Sequence, residues 1–368
     1  MIENWIADRV RAVDAGPIRH AMQMAAKLKD PVNLSLGQPH FPVPSAIKTA
    51  ACQAIHDDHN SYTLAQGAAG LREKIQADIS RRYPGQPDRY VFITNGTSGG
   101  LVLALTCILN PGDEVIVFDP YFLGYPSLVG LLGGQTVCVD TYPDFQIDVD
   151  RVRAVITKRT KAIIINGPSN PTGVVYSKDC VRDLAQLAQK HNILLISDEV
   201  YSSYCYDAPF ESPAQFSENV LVIDGFSKTY AMTGWRLGWC HGPRLLLEEM
   251  IRVQQLTFVC APSMAQYAGI IALDHDPAAI VADFKHKRDR LLRALQDRYE
   301  IAGAAGSIFL FPRVPRGTGT EFVAEAIRNN LILLPGNVFS RQDTHFRISY
   351  AATDAVLERG ISILLKMC

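Results

Sequence analysis

The sequence has no Cys-x-x-Cys pair. Its eight cysteines are scattered over 368 residues, and most, such as Cys107 and Cys138, lie inside apolar runs. This excludes the usual zinc spacings and a disulfide framework, and marks the cysteines as reduced core residues. Positive charge is not in excess either. Thirty-six Lys and Arg face 37 Asp and Glu, a net charge of -1, so the basic footprint of a nucleic-acid binder is missing. The longest uncharged apolar stretches, such as Leu101 to Leu109, are too short to span a bilayer. The start, Met1-Ile2-Glu3-Asn4-Trp5-Ile6-Ala7-Asp8, carries acids where a signal peptide has a basic region, so the cytoplasm is the expected location. Internal repeats and low-complexity linkers are absent from the sequence as well.

What remains is the composition of a soluble globular protein, 48% hydrophobic, with a length that suits one large domain and a smaller one. The middle of the chain alternates short apolar runs with amphipathic stretches. Strands are expected at Tyr90–Thr94, Glu114–Phe118, Gln135–Val139, Ala162–Asn166, Ile193–Ser197, Val220–Asp224 and Arg236–His241. Helical patterns lie between them, among them Gly99–Leu109, stopped by Asn110-Pro111-Gly112, and Ser177–His191. Strands this apolar, alternating with helices, predict an α/β fold whose mainly parallel seven-stranded sheet is covered on both faces. Met264–Tyr299 reads as helical, interrupted near His275-Asp276-Pro277. Strands are expected again at Ser307–Pro312, Leu331–Leu334 and His345–Tyr350, around a helix over Thr320–Asn330. The expected division is a large domain over 46–275 and a small α+β domain from both termini, 1–45 and 276–368. The part before Ser45 shows no strand pattern.

Ligands of open parallel sheets bind beyond the carboxyl ends of the strands, and the unusual residues of this chain recur there. Lys228 follows the run Val220-Leu221-Val222-Ile223 within Gly225-Phe226-Ser227-Lys228-Thr229-Tyr230, with Trp235-Arg236-Leu237-Gly238 after it. A lysine becomes a covalent catalyst by forming a Schiff base with a carbonyl, and an arginine at that distance can clamp a phosphate. Together they point to an aldehyde cofactor carrying a phosphate, pyridoxal phosphate; alone, such a lysine is an ordinary loop residue. Asn95-Gly96-Thr97-Ser98-Gly99-Gly100 opens a helix and offers free N–H groups to an anion, or is a plain helix start. Tyr121 and Phe122 offer an aromatic face for a flat ring, or core packing. Pro168-Ser169-Asn170-Pro171-Thr172-Gly173 is a rigid turn that can aim the Asn170 amide. Asp198 ends a buried strand and needs a partner such as a protonated pyridine nitrogen, or else caps a helix. Tyr201 is near enough in sequence to reach the ring's phenolic oxygen.

In order and spacing, these stretches resemble the fold type I pyridoxal-phosphate enzymes of the class I/II aminotransferase family, which includes the aspartate aminotransferases. The likeness runs from Pro17-Ile18-Arg19 and Ser35-Leu36-Gly37-Gln38-Pro39-His40-Phe41-Pro42, through Tyr62-Thr63, Gly70-Leu71-Arg72, Asn170-Pro171-Thr172-Gly173 and Ser227-Lys228-Thr229. It ends at Phe309-Leu310-Phe311-Pro312, Pro335-Gly336 and Phe346-Arg347-Ile348-Ser349. The resemblance implies that Lys228 is the Schiff-base lysine and proton shuttle. It implies that Asp198 pairs with the pyridine nitrogen, that Tyr201 and Asn170 contact the ring oxygen, and that Phe122 stacks on the ring. Thr97, Ser98, Ser227 and Arg236 lie at the cofactor, with Thr97, Ser98 and Arg236 on the phosphate. Tyr62 reaches the phosphate of the neighbouring subunit in a homodimer with shared sites. Gly37, Asn170 and Arg347 bind the substrate carboxylate.

Two positions depart from the family pattern: Gly225 stands where many relatives have a phosphate-binding serine, and His40 where many have aspartate. Ser98 stands where some relatives carry a lysine for a distal carboxylate, leaving Arg19 or His40 as possible readers of the side chain. The reaction implied is transfer of an amino group between an L-amino acid and a 2-oxo acid. A pyridoxal-phosphate lyase shares the opening Cα–H cleavage and is the rival expectation; a non-catalytic regulator is the more distant one.

Overall fold

The computed structural model describes residues 5–11, 22–26 and 28–368. Its centre is a sheet of seven strands: β2 (Arg89–Thr94), β3 (Glu114–Asp119), β4 (Gln135–Asp140), β5 (Thr160–Asn166), β6 (Leu194–Asp198), β7 (Val220–Gly225) and β8 (Gly238–Pro243). They lie in the order β2-β8-β7-β6-β5-β3-β4. Only β8 runs against its neighbours; the β7–β6–β5–β3–β4 contacts are all parallel. The apolar runs form strands here because both faces are covered. Ile163, Leu195, Val220 and Val222 meet Ile75, Ile79, Leu184 and Leu187 on one face, while Val115, Ile164, Ile196 and Leu221 meet Leu101, Leu105, Leu247 and Met250 on the other.

All seven expected strands agree with the structure to within two residues. The last is shifted two residues along, to Gly238–Pro243, because the chain first makes a 3-10 turn over Thr233–Trp235 and Arg236 sits in the left-handed region at φ 52. Helix ends follow their caps. Ser177 accepts from the Cys180 N–H at 3.2 Å ahead of the helix Lys178–Lys190, and Thr318 and Glu321 close a capping box on Gly319–Arg328. The helical stretch after residue 263 is two helices, Ser263–Ala272 and Ala278–Leu295, broken where the sequence places its Pro277.

The remaining strands are short. β9 (Phe309–Leu310), β11 (Leu334–Pro335) and β12 (Phe346–Ser349) form an antiparallel sheet in the order β11-β12-β9. The expected strand Leu331–Leu334 is divided: β10 (Leu331–Ile332) leaves that sheet and pairs in parallel with β1 (Val32–Asn33). A strand therefore does lie before Ser45, contrary to expectation. Two residues are too few to show a period, and its pairing comes from a segment at the other end of the chain.

Candidate active site

β6 and β7 are parallel neighbours with Asp198 opposite Ile223. The turn leaving β7 thus brings Lys228 back towards the end of β6. Asp198 is buried; its Oδ2 accepts from the Tyr125 hydroxyl at 2.7 Å, and its Oδ1 has a 3.4 Å contact from the Val200 N–H. Burial raises its carboxyl above the ordinary range, while the Tyr125 hydrogen bond, the Val200 N–H and the Lys228 charge pull the other way. The Lys228 ammonium is destabilised by burial and by Arg347, with Asp198 opposing, and its pKa falls to about 8. Its Nζ donates to the Gly37 carbonyl at 2.6 Å and lies 5.9 Å from the centre of the Tyr201 ring. Burial also pushes the Tyr201 phenol up, so it stays protonated at neutral pH.

Arg347 projects from β12 into the same space. Its Nη1 donates to Asn170 Oδ1 at 2.9 Å and its Nη2 to the Ser35 carbonyl at 2.7 Å. The guanidinium carbon lies 4.3 Å from the centre of Phe309 and 4.5 Å from that of Phe339, a cation between two aromatic faces. Its Nε is buried without a hydrogen-bond partner. Burial lowers its pKa to about 10, which leaves it charged at neutral pH. Asn170 is set by its own N–H, which donates to Asn166 Oδ1 at 2.8 Å. Lys228, Asp198, Tyr201, Asn170, Arg347 and Gly37 are thus brought together as expected from the sequence.

The second half of the site is the start of the helix Gly96–Ile108, which has no side-chain cap. Gly96 has φ +71, and a Cβ there would lie 2.7 Å from Arg236 Nη2. The Arg236 guanidinium therefore rests against the helix N-terminus, beside half-buried Thr97 and exposed Ser98. Free first-turn N–H groups, two hydroxyls and a guanidinium are the donor set for a phosphate. Ser227 is buried. A Cβ on Gly225 would be crowded by the Leu237 carbonyl at 3.1 Å and by Gly238 Cα and the Thr97 methyl, each at 3.2 Å. Phe122 is half-buried and stands edge-on to Tyr125, ring centres 5.4 Å apart.

Tyr62 lies apart from this group, 81% exposed. His40 turns to the helix Ala278–Leu295, with Nε2 2.7 Å from Lys287 Nζ and 3.8 Å from Asp283 Oδ2, and packs edge-on to Phe284. Arg19 lies outside the described residues. Among the described residues no group of three or more His, Cys, Asp or Glu is placed to hold a metal, and no helix is long and apolar enough to cross a membrane.

The family model "Aminotransferase class I and II" matches residues 29–364. The chain belongs to that family. It is 34% identical to a protein of Methanocaldococcus jannaschii named a probable aspartate aminotransferase, over 98% of each chain. It is 31% identical to aromatic-amino-acid aminotransferase 2 of Thermococcus litoralis, again over 98% of each. The crystal structure of the Thermotoga maritima aspartate aminotransferase matches with a TM-score of 0.92 at 31% identity, covering 98% of this chain and 99% of that one. The protein is an aminotransferase, and the rival lyase expectation is set aside. Sequence reasoning did not single out Tyr125, the Ser35 carbonyl or the two phenyl rings around Arg347. Phe309 and Ser35 lie inside motifs that carry the resemblance, a signal that could have drawn them in; Tyr125 lies in the helix Gly124–Leu131 with no such signal.

Proposed function

We propose that this aminotransferase binds pyridoxal 5'-phosphate through Lys228 and moves an amino group from an L-amino acid to a 2-oxo acid. The observation that carries the proposal is the placement of Lys228: its amine is held on the Gly37 carbonyl at 2.6 Å, over the Tyr201 ring and among buried Asp198 and Arg347, with its pKa lowered by that burial. The helix start at Gly96, bared of any side-chain cap and flanked by Arg236, fits the phosphate. When bound, the cofactor supplies an electron sink for the charge left on Cα as its proton departs.

The residues divide the remaining work. Asp198 accepts from the protonated ring nitrogen and stabilises its charge. Tyr201 and Asn170 donate to the ring oxygen. Phe122 covers a ring face. Thr97, Ser98 and Arg236 hold the phosphate. The Lys228 amine would take up the substrate Cα proton and give one back, acting as general base and then general acid. Arg347, with Gly37 and Asn170, would hold the substrate carboxylate and so fix which bond at Cα is presented for cleavage. Aspartate and aromatic amino acids are among the substrates named for the relatives, as is N-acetyl-LL-diaminopimelate, and the reader of the side chain is sought in a panel of donors with 2-oxoglutarate.

The site is shared across a homodimer in this reading. Gln254 Nε2 donates to the Ala65 carbonyl at 2.6 Å and Gln266 Nε2 to Thr63 Oγ1 at 3.0 Å. These bonds lay the loop of Tyr62 and Leu64 beside Leu256, Phe258 and Val259, all exposed. Asn95, one residue before Gly96, contacts the Cys260 carbonyl at 3.4 Å. The exposed apolar surface thus adjoins the phosphate end of the site, which supports a second copy as its cover.

Lys228→Ala tests the function. Turnover should fall by at least ~10²–10⁴, the worth of acid–base assistance alone, with the fold intact by circular dichroism. The visible absorption of the bound cofactor should vanish in the variant. In the cofactor-free wild type, the rate of pyridoxal-phosphate uptake should rise with pH through about 8 as the amine deprotonates. Visible absorption retained by Lys228→Ala would move the covalent role to another lysine.

A further inference from the structure

The Asp198 carboxylate is held from behind. Tyr125 lies in the helix Gly124–Leu131, on the turn that follows β3, and is 3% exposed. Its hydroxyl donates to Asp198 Oδ2 at 2.7 Å across 73 residues of sequence. Oδ1 has the weaker 3.4 Å contact from the Val200 N–H, which leaves it as the oxygen free to turn to a ligand. A phenol buried this completely does not ionise at working pH, since burial and the neighbouring carboxylate both raise it. It is therefore a permanent donor.

We propose that Tyr125 is a positioning residue for the reaction: it orients the Asp198 carboxylate and keeps it ionised, so that one oxygen is presented to the protonated ring nitrogen of the cofactor. The inference rests on the function proposed above and deepens it. Aspartate has two lone-pair-bearing oxygens and a freely turning χ2. A hydrogen bond from a rigid ring to one oxygen fixes both the plane of the carboxylate and the oxygen left over. The bond also stabilises the charged form against burial. The other groups facing Asp198 do neither job as well. Tyr201 belongs to the turn that follows it, Lys228 approaches from the β7 loop with a charge that is consumed when it binds carbonyl, and Cys240 on β8 and Asp224 on β7 donate nothing to it. Tyr125 is the neutral donor that remains in place throughout turnover.

The test is pyridoxal-phosphate binding to cofactor-free protein, followed by fluorescence quenching from pH 5 to 9, in wild type, Tyr125→Phe, Asp198→Asn and the double variant. Tyr125→Phe should bind the cofactor about tenfold more weakly at neutral pH, the worth of one hydrogen bond to a charged group. The acid limb of its affinity should move up by about one pH unit, because Asp198 now protonates more readily. In the Asp198→Asn background the same change should alter affinity by less than about twofold, since Tyr125 acts through the charge. A second variant, 3-fluorotyrosine placed at position 125, keeps the shape while strengthening the donor, and should move the acid limb down. Tyr125→Phe with unchanged affinity and limb overturns the inference, as does an equal loss in both backgrounds, which a merely structural role would give. Should Tyr125→Phe not fold, an unmoved limb in the fluorotyrosine protein overturns it alone. Failure of the wild type to bind pyridoxal phosphate at all would instead strike the function on which the inference rests.

Discussion

Arg347 shows how much one side chain can be asked to do. Its guanidinium is flattened between Phe309 and Phe339 and tied to the Ser35 carbonyl and Asn170 Oδ1. In its proposed role this would fix the plane in which a substrate carboxylate arrives, and a planar fork suits bidentate recognition where an ammonium does not. Arg347→Ala should therefore weaken amino and oxo acid substrates alike, by on the order of 10–100-fold in kcat/KM per charge-assisted bond lost. Cofactor affinity should change little. Steady-state kinetics on monocarboxylic and dicarboxylic donors checks this; a loss confined to dicarboxylic substrates would make Arg347 a reader of the side chain. Arg347→Lys should not rescue, because the ammonium cannot fill the slot between the rings.

Where the ends of β7 and β8 meet the helix Gly96–Ile108, the elements approach so closely that a single carbon matters. Gly225 departs from the serine expected of the family, and a Cβ there would be crowded by the Leu237 carbonyl, Gly238 Cα and the Thr97 methyl. Gly225→Ser should thus destabilise the protein by about 1–3 kcal/mol through overpacking. Combining it with Thr97→Ser, which removes the methyl and keeps the hydroxyl, should restore only part of the loss, because the Leu237 carbonyl and Gly238 Cα still crowd the new side chain. Thermal melting of the four proteins is the measurement, and a Gly225→Ser single variant as stable as wild type would refute the packing account. This junction also shows what the sequence made legible. The central strands β3, β5, β6 and β7 were readable because each is a self-contained apolar run buried on both faces. Lys228, Asp198, Asn170 and Arg347 were readable because each sits in a short motif just past a strand or within one. Tyr125 and the β1–β10 pairing were not, because each depends on a partner far away in sequence: Tyr125 looks like any aromatic of an apolar helix until Asp198 is beside it. His40 was readable as a departure, but its turn towards Lys287 and Asp283 is a tertiary fact.

For the assembled molecule, the proposed homodimer makes a prediction that no single chain can. Tyr62 is exposed and lies with Leu64 on the apolar surface that adjoins Asn95 and the phosphate site. In a mixed dimer of Lys228→Ala with Tyr62→Ala, one site lacks both side chains and the other has Lys228 from one chain and Tyr62 from its partner. The Lys228→Ala homodimer should be inactive and the Tyr62→Ala homodimer impaired in holding the phosphate. Mixed dimers, purified with two different tags, should then recover up to about half of wild-type activity by this counting for a two-fold interface. Activity equal to the mean of the parents would place Tyr62 in its own subunit's affairs, or outside the reaction.

The pairing of β1 with β10 has a mechanical consequence. Val32-Asn33 and Leu331-Ile332 clasp the two ends of the chain together, and the next few residues after β1 are those whose carbonyls receive Arg347 and Lys228. From the N-terminal side, a pull on the chain meets this two-residue strand, and the Ser35 and Gly37 carbonyls just after it, before it meets any strand of the main sheet.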